Sequence, residues 1–377
     1  MSHLFPNYAR KPFELVSGTG CYLTDHQGNR YLDFTSGIGV ANLGYSNVAS
    51  EEALIRQMQL LMHTPNLYEN HLQEQVAASL GKTDYLAYFC NSGAEAVEAA
   101  IKLARKATQR TKIISFIQSF HGRTYGAMSA TGQAIVQQGF APLVPDFVYV
   151  EYNALEGLEE QLDENTAAVI LEVIQGEGGV ILGSKEWLQE VARLCQKNNS
   201  LLIIDEIQTG MGRTGSLYGF EQLGIAPDIF TLAKGLGNGF PVGAMLGKRE
   251  LASAFGPGSH GSTFGGNKMA MAVAAEVVRQ IDQPEFLAEV RKKGAYLFDR
   301  LQEISSKNIK EVRGRGLMIG IELQENHSLQ KIMKDLEKEG LLTLKAGQNV
   351  LRLLPPLTIS LEEIDEGIEK LKKVLSN

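Results

Sequence analysis

The chain has 377 residues, of which 44% are hydrophobic and 21% charged, and its formal net charge is −7. This is the composition of a globular protein, and the length allows two domains or one large domain with an appendage. The acidic balance and the scattered basic residues argue against nucleic acid as the main partner. No run of about 18 apolar residues, the length needed to span a bilayer, is present.

Cysteine and histidine spacing gives no sign of a disulfide framework or a zinc site. The three cysteines, Cys21, Cys90 and Cys195, form no CxxC pair, and the seven histidines are dispersed. The amino-terminal residues lack the basic stretch and apolar run of a secretory signal peptide. We therefore expect a cytoplasmic protein that acts on small molecules, with no metal, nucleic acid or membrane as partner.

The first 45 residues contain two predicted strands around a turn at 25–28. This stretch is too short to fold alone, so we expect it to pack on the carboxyl-terminal part. From about residue 85 to 250, short apolar runs alternate with segments of helical period, which indicates a mostly parallel sheet covered by helices. The predicted strands are 85–89, 112–117, 167–171, 201–204, 229–233 and 242–246, and the predicted helices between them include 94–107 and 185–197.

Beyond about residue 265 the pattern changes to that of a smaller α/β domain. Two helices lead to RGRGLMIGIEL, which reads as one strand with a glycine turn before it. A helix at 328–339, a strand pair (GLLTL and NVLRLLPPL) and a terminal helix with a capping box of Ser360 and Glu363 follow. We predict a large domain at 46–265 and a small domain made of 1–45 together with 266–377.

Several predicted strands end on polar residues, at the sheet edge where ligands bind in open parallel sheets. Ser92 and Gly93 would open a helix, where backbone N–H groups and a hydroxyl form an anion site, most naturally for phosphate. An ordinary helix cap explains the same serine. Asp205 ends the segment LLIIDE, which resembles a Walker B strand, but no GxxxxGK[ST] precedes it, so a P-loop NTPase is poorly supported.

Lys234 follows the apolar run at 229–233 and precedes the glycine-rich stretch GLGNGFPVGA. In a poorly solvated site the charged form of an amine is disfavoured, so its pKa falls and it becomes a nucleophile toward carbonyls. A lysine that reaches water beside a turn is the alternative. Together, a phosphate cradle, a nucleophilic lysine and a carboxylate that can face a pyridine nitrogen, Asp205, meet the requirements of pyridoxal 5′-phosphate.

The chain resembles the class III (ω-amino-acid) aminotransferases, which are fold-type I pyridoxal-phosphate enzymes. The resemblance runs from NYARKPFE to NVLRLLPPLTIS and is most specific from LLIIDEIQTGMGRTG to DIFTLAKGLGNGFPVGA. It implies an α/β fold with a large domain, built on a mostly parallel sheet covered by helices, and a smaller α/β domain. Relatives usually carry proline where this chain has Val173, and a GHxHP stretch where it has LGYSNVAS at 43–50.

The resemblance implies cofactor-binding roles for several residues. Lys234 matches the Schiff-base lysine, and it would shuttle protons once substrate displaces it. Asp205 matches the partner of the pyridine nitrogen, Gln208 lies near the 3-oxygen, and Phe120 matches the aromatic residue that stacks on the ring. The implied phosphate contacts are Ser92, Gly93, Ala94 and, from the neighbouring subunit of a homodimer, Thr263.

Substrate-binding residues are implied in the same way. Arg123 matches an arginine that binds a substrate carboxylate, and a surface ion pair is the alternative for it. For Arg352, the alternative to a binding role is an ordinary surface charge. Arg352 matches the arginine that takes the α-carboxylate of glutamate, and Glu177 matches the glutamate that pairs with it when the other substrate is present. Tyr8 matches a tyrosine at the substrate entrance.

The segment HTPNLYEN, at 63–70, favours the family members that act in arginine biosynthesis. They convert N2-acetylornithine and 2-oxoglutarate reversibly into N-acetylglutamate 5-semialdehyde and glutamate. Ornithine, succinyl-diaminopimelate and 4-aminobutyrate are alternative amino donors. Two other classes are an aminomutase or racemase on the same fold and a non-catalytic pyridoxal-phosphate-binding protein, which the presence of both Lys234 and Asp205 disfavours.

Overall fold

The structure, a computed structural model, describes residues 3–325 and 328–376. Its strands are β1 (Leu15–Thr19), β2 (Tyr22–Asp25), β3 (Arg30–Asp33), β4 (Tyr85–Cys90), β5 (Lys112–Phe116), β6 (Phe147–Val150), β7 (Thr166–Leu171), β8 (Ile174–Gln175), β9 (Ile181–Leu182), β10 (Leu201–Asp205), β11 (Ile229–Leu232), β12 (Gly243–Lys248), β13 (Ile309–Arg315), β14 (Met318–Leu323), β15 (Leu341–Leu342), β16 (Leu344–Ala346) and β17 (Val350–Leu353).

The α-helices lie between these strands, and short 3-10 turns stand at Gly219–Leu223, Lys234–Leu236 and Arg249–Phe255. The helices are α1 (Ser36–Gly39), α2 (Val48–Leu60), α3 (His71–Gly81), α4 (Gly93–Thr108), α5 (Tyr125–Ala130), α6 (Ala134–Gln137), α7 (Glu156–Gln161), α8 (Lys185–Lys197), α9 (Lys268–Ile281), α10 (Pro284–Gln302), α11 (Leu329–Lys338) and α12 (Leu361–Leu375).

The largest sheet among the described residues has seven strands in the order β4-β12-β11-β10-β7-β5-β6. Strands β11, β10, β7, β5 and β6 pair in parallel, whereas β12 is antiparallel to both of its neighbours. Every residue of β7 is buried, as expected for a strand with helices on both faces of its sheet. Helix α4 packs on one face through an alanine-rich stripe, and α8 and α9 belong to the core on the other.

The predicted sheet is therefore confirmed, with each predicted strand shifted by two residues or fewer at either end. One strand of this sheet was missed: β6, which has only four residues and lies at the sheet edge. The strand predicted in RGRGLMIGIEL, with a glycine turn before it, is confirmed as β14, and Gly316 lies in the turn at φ +57°. The prediction missed β13, which ends within the same stretch and pairs with β14 as a hairpin.

The amino-terminal residues pack on the carboxyl-terminal part, as expected. Strand β3 pairs in parallel with β15, with Leu32 opposite Leu341, in a sheet of order β1-β2-β3-β15. The predicted pairing of GLLTL with the following strand is partly wrong, because the chain divides at Thr343: β15 joins this sheet, whereas β16 pairs with β17. The second sheet has the order β13-β14-β17-β16.

A separate apolar core lies between these two small sheets and helices α10, α11 and α12. Helix α12 begins with the predicted capping box, in which Ser360 Oγ accepts the Glu363 N–H and the Glu363 carboxylate accepts the Ser360 N–H. The division into domains at residue 265 stays a prediction. Within residues 3–325 and 328–376, no helix is long and apolar enough to cross a membrane.

Candidate active site

A cavity of about 410 Å³ opens at the carboxyl ends of the large sheet. The chain segments that follow β4, β5, β7, β10 and β11 all contribute to its wall, because parallel strands bring their carboxyl ends to the same edge. The predicted site residues that line it are Ser92, Gly93, Ala94, Phe120, Arg123, Glu177, Asp205, Gln208 and Lys234.

Lys234 lies two residues beyond β11 and begins the 3-10 turn at Lys234–Leu236. Its φ of +43° is in the left-handed region, which costs a residue with a side chain about 1–2 kcal/mol. Burial lowers the pKa of its ammonium below the ordinary value, and the nearby Glu177 carboxylate opposes this effect. The lysine therefore faces the cavity from a strained turn, with its neutral form favoured by the surroundings.

Asp205 is the last residue of β10, and its carboxylate is 4% exposed. Oδ1 accepts hydrogen bonds from the Ile207 N–H at 3.0 Å and from the Thr231 hydroxyl at 3.2 Å. Oδ2 lies 2.7 Å from Nδ1 of His121, whose side chain is also buried. These contacts fix the carboxylate beside the cavity, with one hydrogen-bond partner from each of three chain segments.

Sequence reasoning missed two cavity-lining groups, His121 and Glu172. His121 directly follows Phe120 in SFHGR, and this proximity was the available signal. Glu172 follows β7 and has an Oε2 atom that is buried with no hydrogen-bond partner among the described residues. Burial raises the pKa of this carboxyl well above its ordinary value, and the Asp205 carboxylate adds to the effect. The cavity wall thus contains a carboxyl group whose neutral form is favoured by its surroundings.

The end of the cavity near β4 is formed by the amino terminus of α4. Ser92 caps this helix, because its Oγ accepts the Glu95 N–H at 3.2 Å. The first N–H groups of a helix have no partner within it, so those of Gly93 and Ala94 are available to an anion. A Cβ at Gly93 would approach Cδ1 of Ile207 to 2.7 Å, so this position leaves no room for a side chain.

Arg352 lies in β17 and is 2% exposed, so it is not the ordinary surface charge of the alternative. Its NH1 group donates to Glu177 Oε1 at 2.8 Å and to Gln208 Oε1 at 2.9 Å. Burial alone would raise the pKa of the Glu177 carboxyl, but the adjacent Arg352 lowers it below the ordinary value. Arg352 is thus covered from the cavity by an ionised carboxylate and an amide.

Arg123 is exposed at the cavity mouth, with its guanidinium carbon 5.7 Å from the centre of the Phe120 ring. Tyr8 is 71% exposed, and Thr263 is also exposed. Neither of these two residues lines the cavity of the single chain. Their roles at the entrance and in a neighbouring subunit stay predictions.

Comparison with known proteins identifies the family. The family model described as "Aminotransferase class-III" matches residues 6–375. This chain belongs to the class III aminotransferases. The acetylornithine aminotransferase of Listeria monocytogenes is 57% identical to this aminotransferase over 100% of the chain and 98% of the relative.

Solved structures agree with the fold. The ornithine aminotransferase of Toxoplasma gondii has a TM-score of 0.95 and 33% identity, covering 99% of this chain and 91% of that chain. The N-acetylornithine aminotransferase of Stenotrophomonas maltophilia has a TM-score of 0.84 and 36% identity, covering 97% and 96%. The predicted family, fold class and aminotransferase activity are thereby confirmed, and the cofactor is pyridoxal phosphate.

The residues of this aminotransferase fit that cofactor. The free N–H groups at the start of α4 are suited to a phosphate, and the buried Asp205 carboxylate is suited to a protonated ring nitrogen. Lys234 provides an amine in the same cavity. In the described part of the chain, no group of three or more His, Cys, Asp or Glu side chains could hold a metal ion.

Proposed function

We propose that this aminotransferase moves the amino group of N2-acetylornithine to 2-oxoglutarate, reversibly, giving N-acetylglutamate 5-semialdehyde and glutamate. This is a step of arginine biosynthesis. The proposal draws on the relative from Listeria monocytogenes, which is 57% identical and named acetylornithine aminotransferase. The other amino donors compatible with the site are ornithine, succinyl-diaminopimelate and 4-aminobutyrate.

The observation that carries the proposal is the unequal accessibility of two arginines. Arg123 is exposed at the cavity mouth, whereas Arg352 is buried and paired with Glu177. A substrate whose carboxylate is far from its reacting amine, such as N2-acetylornithine, binds Arg123 and leaves the Arg352–Glu177 pair closed. Glutamate carries a carboxylate next to its amine, so it requires Arg352, and Glu177 must turn away to release it.

Cofactor contacts follow from the cavity wall. Ser92, Gly93 and Ala94 would bind the phosphate with a hydroxyl and backbone N–H groups. Asp205 would keep the ring nitrogen protonated, Gln208 would bind the 3-oxygen, and Phe120 would pack against the ring. When bound, pyridoxal phosphate withdraws electrons from the Cα–H bond that is broken.

Lys234 moves the proton that this bond releases. Its lowered pKa favours the neutral amine, which can accept a proton, and its turn holds the side chain in the cavity. Glu177 and Asp205 are the nearest charges that stabilise the ammonium once it forms. Both directions of the reaction therefore use the same amine as acid and base.

We further propose a homodimer in the cytoplasm. Thr263 then reaches the phosphate of the partner subunit, and Tyr8 lines the substrate entrance. The exposed position of both residues in the single chain supports their use at an assembled site. The cysteines Cys21, Cys90 and Cys195 are buried and unpaired, which supports a reducing compartment.

A panel of amino donors tests the substrate. The holoenzyme is given N2-acetylornithine, ornithine, succinyl-diaminopimelate or 4-aminobutyrate with 2-oxoglutarate, and the glutamate formed is measured. We expect kcat/KM to be highest for N2-acetylornithine. A higher value for any other donor contradicts the proposed substrate, and no glutamate with any donor contradicts aminotransfer to 2-oxoglutarate.

Two substitutions test the arginine roles against each other. Arg352→Ala removes the group proposed for glutamate, so it should reduce kcat/KM of the glutamate half-reaction roughly 100-fold, with little change for N2-acetylornithine. Arg123→Ala should weaken both half-reactions, because glutamate also carries a carboxylate far from its amine. Single-turnover spectra with each substrate measure both half-reactions. Equal losses in the two half-reactions for Arg352→Ala contradict the role of Arg352, and an unchanged N2-acetylornithine half-reaction for Arg123→Ala contradicts that of Arg123.

A further inference from the structure

Arg213 is a fully buried arginine outside the cavity, with a relative exposure of 0%. Its side chain has no carboxylate as a hydrogen-bond partner in the described part of the chain and binds oxygen atoms of neutral groups. Burial lowers the pKa of the guanidinium to about 9. The buried Asp33 carboxylate opposes this shift, but every direct hydrogen-bond partner of the guanidinium in the described part of the chain is neutral. A buried cation with neutral partners is costly in a core, so its contacts call for an explanation beyond packing.

The carbonyls that Arg213 binds flank β17, which contains Arg352, and its neighbour β14. Its NH1 group donates to Leu317 O at 3.0 Å and to Pro355 O at 2.5 Å. Leu317 directly precedes β14, and Pro355 follows β17 by two residues. In the ladder between these strands, Gly320 lies opposite Arg352. One guanidinium therefore joins the beginning of one strand to the end of the other.

The other side of Arg213 is connected to the turn that contains Lys234. Its NH2 group donates to Asn42 Oδ1 at 2.6 Å, and Asn42 Nδ2 donates to Met211 O at 2.8 Å. A Cβ at Gly235 would lie 2.3 Å from Asn42 Nδ2, so the Asn42 amide rests directly against the backbone after Lys234. Asn42 O also accepts the Leu357 N–H at 2.7 Å.

We propose that Arg213 is a positioning residue that sets the place of Arg352 relative to Lys234. It does so by tying β14 and β17, through Asn42, to the turn at Lys234–Leu236. The inference rests on the proposed role of Arg352 in binding the glutamate carboxylate. Loss of Arg213 should let the two strands shift against the large sheet, and a shift of about 1 Å at a substrate-positioning group costs up to roughly 100-fold.

Arg213→Lys tests the proposal, because it keeps a cation but replaces the planar fork with a single ammonium. We expect KM for glutamate to rise roughly 10-fold or more and KM for the amino donor to change less than about 2-fold. The dissociation constant of glutarate, a dicarboxylate without an amine, should rise by the same factor as KM for glutamate. Calorimetry on the holoenzyme measures that binding without turnover.

Arg110→Lys is the matched control. Arg110 also binds backbone carbonyls with its guanidinium, those of Thr166, Asn198 and Asn199, at the opposite edge of the sheet. The Arg110→Lys substitution should lower the midpoint temperature of unfolding while leaving glutarate binding and both KM values unchanged. An Arg213→Lys enzyme that behaves like this control, or that loses both half-reactions equally, overturns the proposal.

Asn42→Ala gives the answer if Arg213→Lys does not fold. It removes one guanidinium contact and leaves the two carbonyl contacts, so we expect a selective rise in KM for glutamate of roughly 3-fold or more. An equal change for both substrates overturns the proposal, because a displaced Lys234 affects both. Arg352→Ala, measured in parallel, separates the two hypotheses. If Arg352→Ala leaves glutarate binding intact, the role proposed for Arg352 fails. If Arg352→Ala raises KM for glutamate selectively and the Arg213 and Asn42 variants do not, only the role of Arg213 fails.

Discussion

His121 supplies the only side-chain nitrogen bonded to Asp205 among the described residues, at 2.7 Å, and both groups are buried. A hydrogen bond to a charged group contributes about 1.5–3 kcal/mol when its loss leaves that charge unpaired. Because the same carboxylate is proposed to hold the protonated ring nitrogen, the imidazole determines how firmly Asp205 is oriented toward it.

Replacing His121 therefore should weaken the cofactor contact. We expect His121→Phe to raise the dissociation constant of pyridoxal phosphate and to lower kcat, together by roughly 10- to 100-fold. His121→Asn places an amide nitrogen near the position of Nδ1 and should recover most of the loss. Titration of the apoenzyme and steady-state kinetics measure both quantities. A phenylalanine variant within about 2-fold of the parent on both would contradict this role.

The element with the clearest link to the cofactor is α4, whose first turn points its free N–H groups into the cavity. Ser92 caps this helix, and Ser184 caps α8 in the same way, with Oγ accepting the Trp187 N–H at 3.2 Å. The two cap hydrogen bonds have the same length, but only Ser92 lies at the cavity. The two serines therefore separate an effect on helix stability from an effect on cofactor binding.

Ser92→Ala and Ser184→Ala should each destabilise the protein by about 1 kcal/mol, because each leaves a helix N–H without its cap. Only Ser92→Ala should also weaken pyridoxal phosphate binding, by roughly 10-fold, since it removes a phosphate contact. Thermal unfolding and cofactor titration of the two variants provide the measurement. Similar affinities in both variants would show that Ser92 is no more than a cap.

The segment at 256–263, which carries Thr263, is attached to α4 by His260. Lys102 Nζ lies 2.8 Å from His260 Nδ1, which must therefore be neutral to accept the hydrogen bond. The His260 ring also packs against Tyr88, with 4.9 Å between ring centres. Burial lowers the pKa of His260 below its ordinary value of 6.5, and Lys102 adds to this effect.

Acidification should loosen this segment. A lowered pKa in the folded state means that the unfolded chain binds the proton more readily. The stability that the neutral His260 ring contributes is therefore fully present above pH 6.5 and is lost as the pH falls below it. We expect amide exchange at 256–263, corrected for its intrinsic rate, to increase between about pH 7.5 and about pH 5.5. His260→Gln keeps a neutral acceptor and should remove the dependence; an unchanged dependence in that variant would assign it to another group.

How much the sequence predicts depends on whether a signal is local. Six strands of the large sheet were found because their residues are apolar on both faces, and the capping box was found because Ser360 and Glu363 are only three positions apart. Strand β13 was not predicted, because only Val312 of its seven residues is buried and it carries no apolar pattern. The contact of His121 with Asp205 joins residues far apart in the chain, which no local pattern records.

At the scale of the whole molecule, one chain leaves large apolar side chains uncovered near the segment that carries Thr263. Phe264, which directly follows Thr263, is 60% exposed. Leu67 and Tyr68, 89% and 70% exposed, follow Asn66, whose side chain donates to a carbonyl on each side of that threonine. These side chains support the proposed dimer, in which each subunit completes the other's site.

Mixing two inactive variants tests the shared site. Lys234→Ala lacks the reacting amine, and Thr263→Asp places a negative charge against the phosphate, so each should be inactive as a homodimer. A mixed dimer has one site with an intact Lys234 and an intact partner threonine, so mixing should recover up to roughly half of the activity per mixed dimer. Activity after unfolding and refolding the two chains together is the measurement. No recovery, with mixed dimers demonstrated by mass, contradicts a site shared between subunits.

The position of the antiparallel strand β12 in the sheet determines the order in which strands can pair during synthesis. Strand β4 reaches the large sheet only through β12, with Cys90 opposite Gly243, whereas β11, β10, β7, β5 and β6 pair directly with one another. As the chain leaves the ribosome, these five strands can assemble before β12 exists. Asp205 then ends one paired strand and Lys234 follows another, while α4, which begins after Ser92, packs on the same strands. Strand β4, although made early, gains a partner only when residue 248 has been added and β12 lies between it and β11.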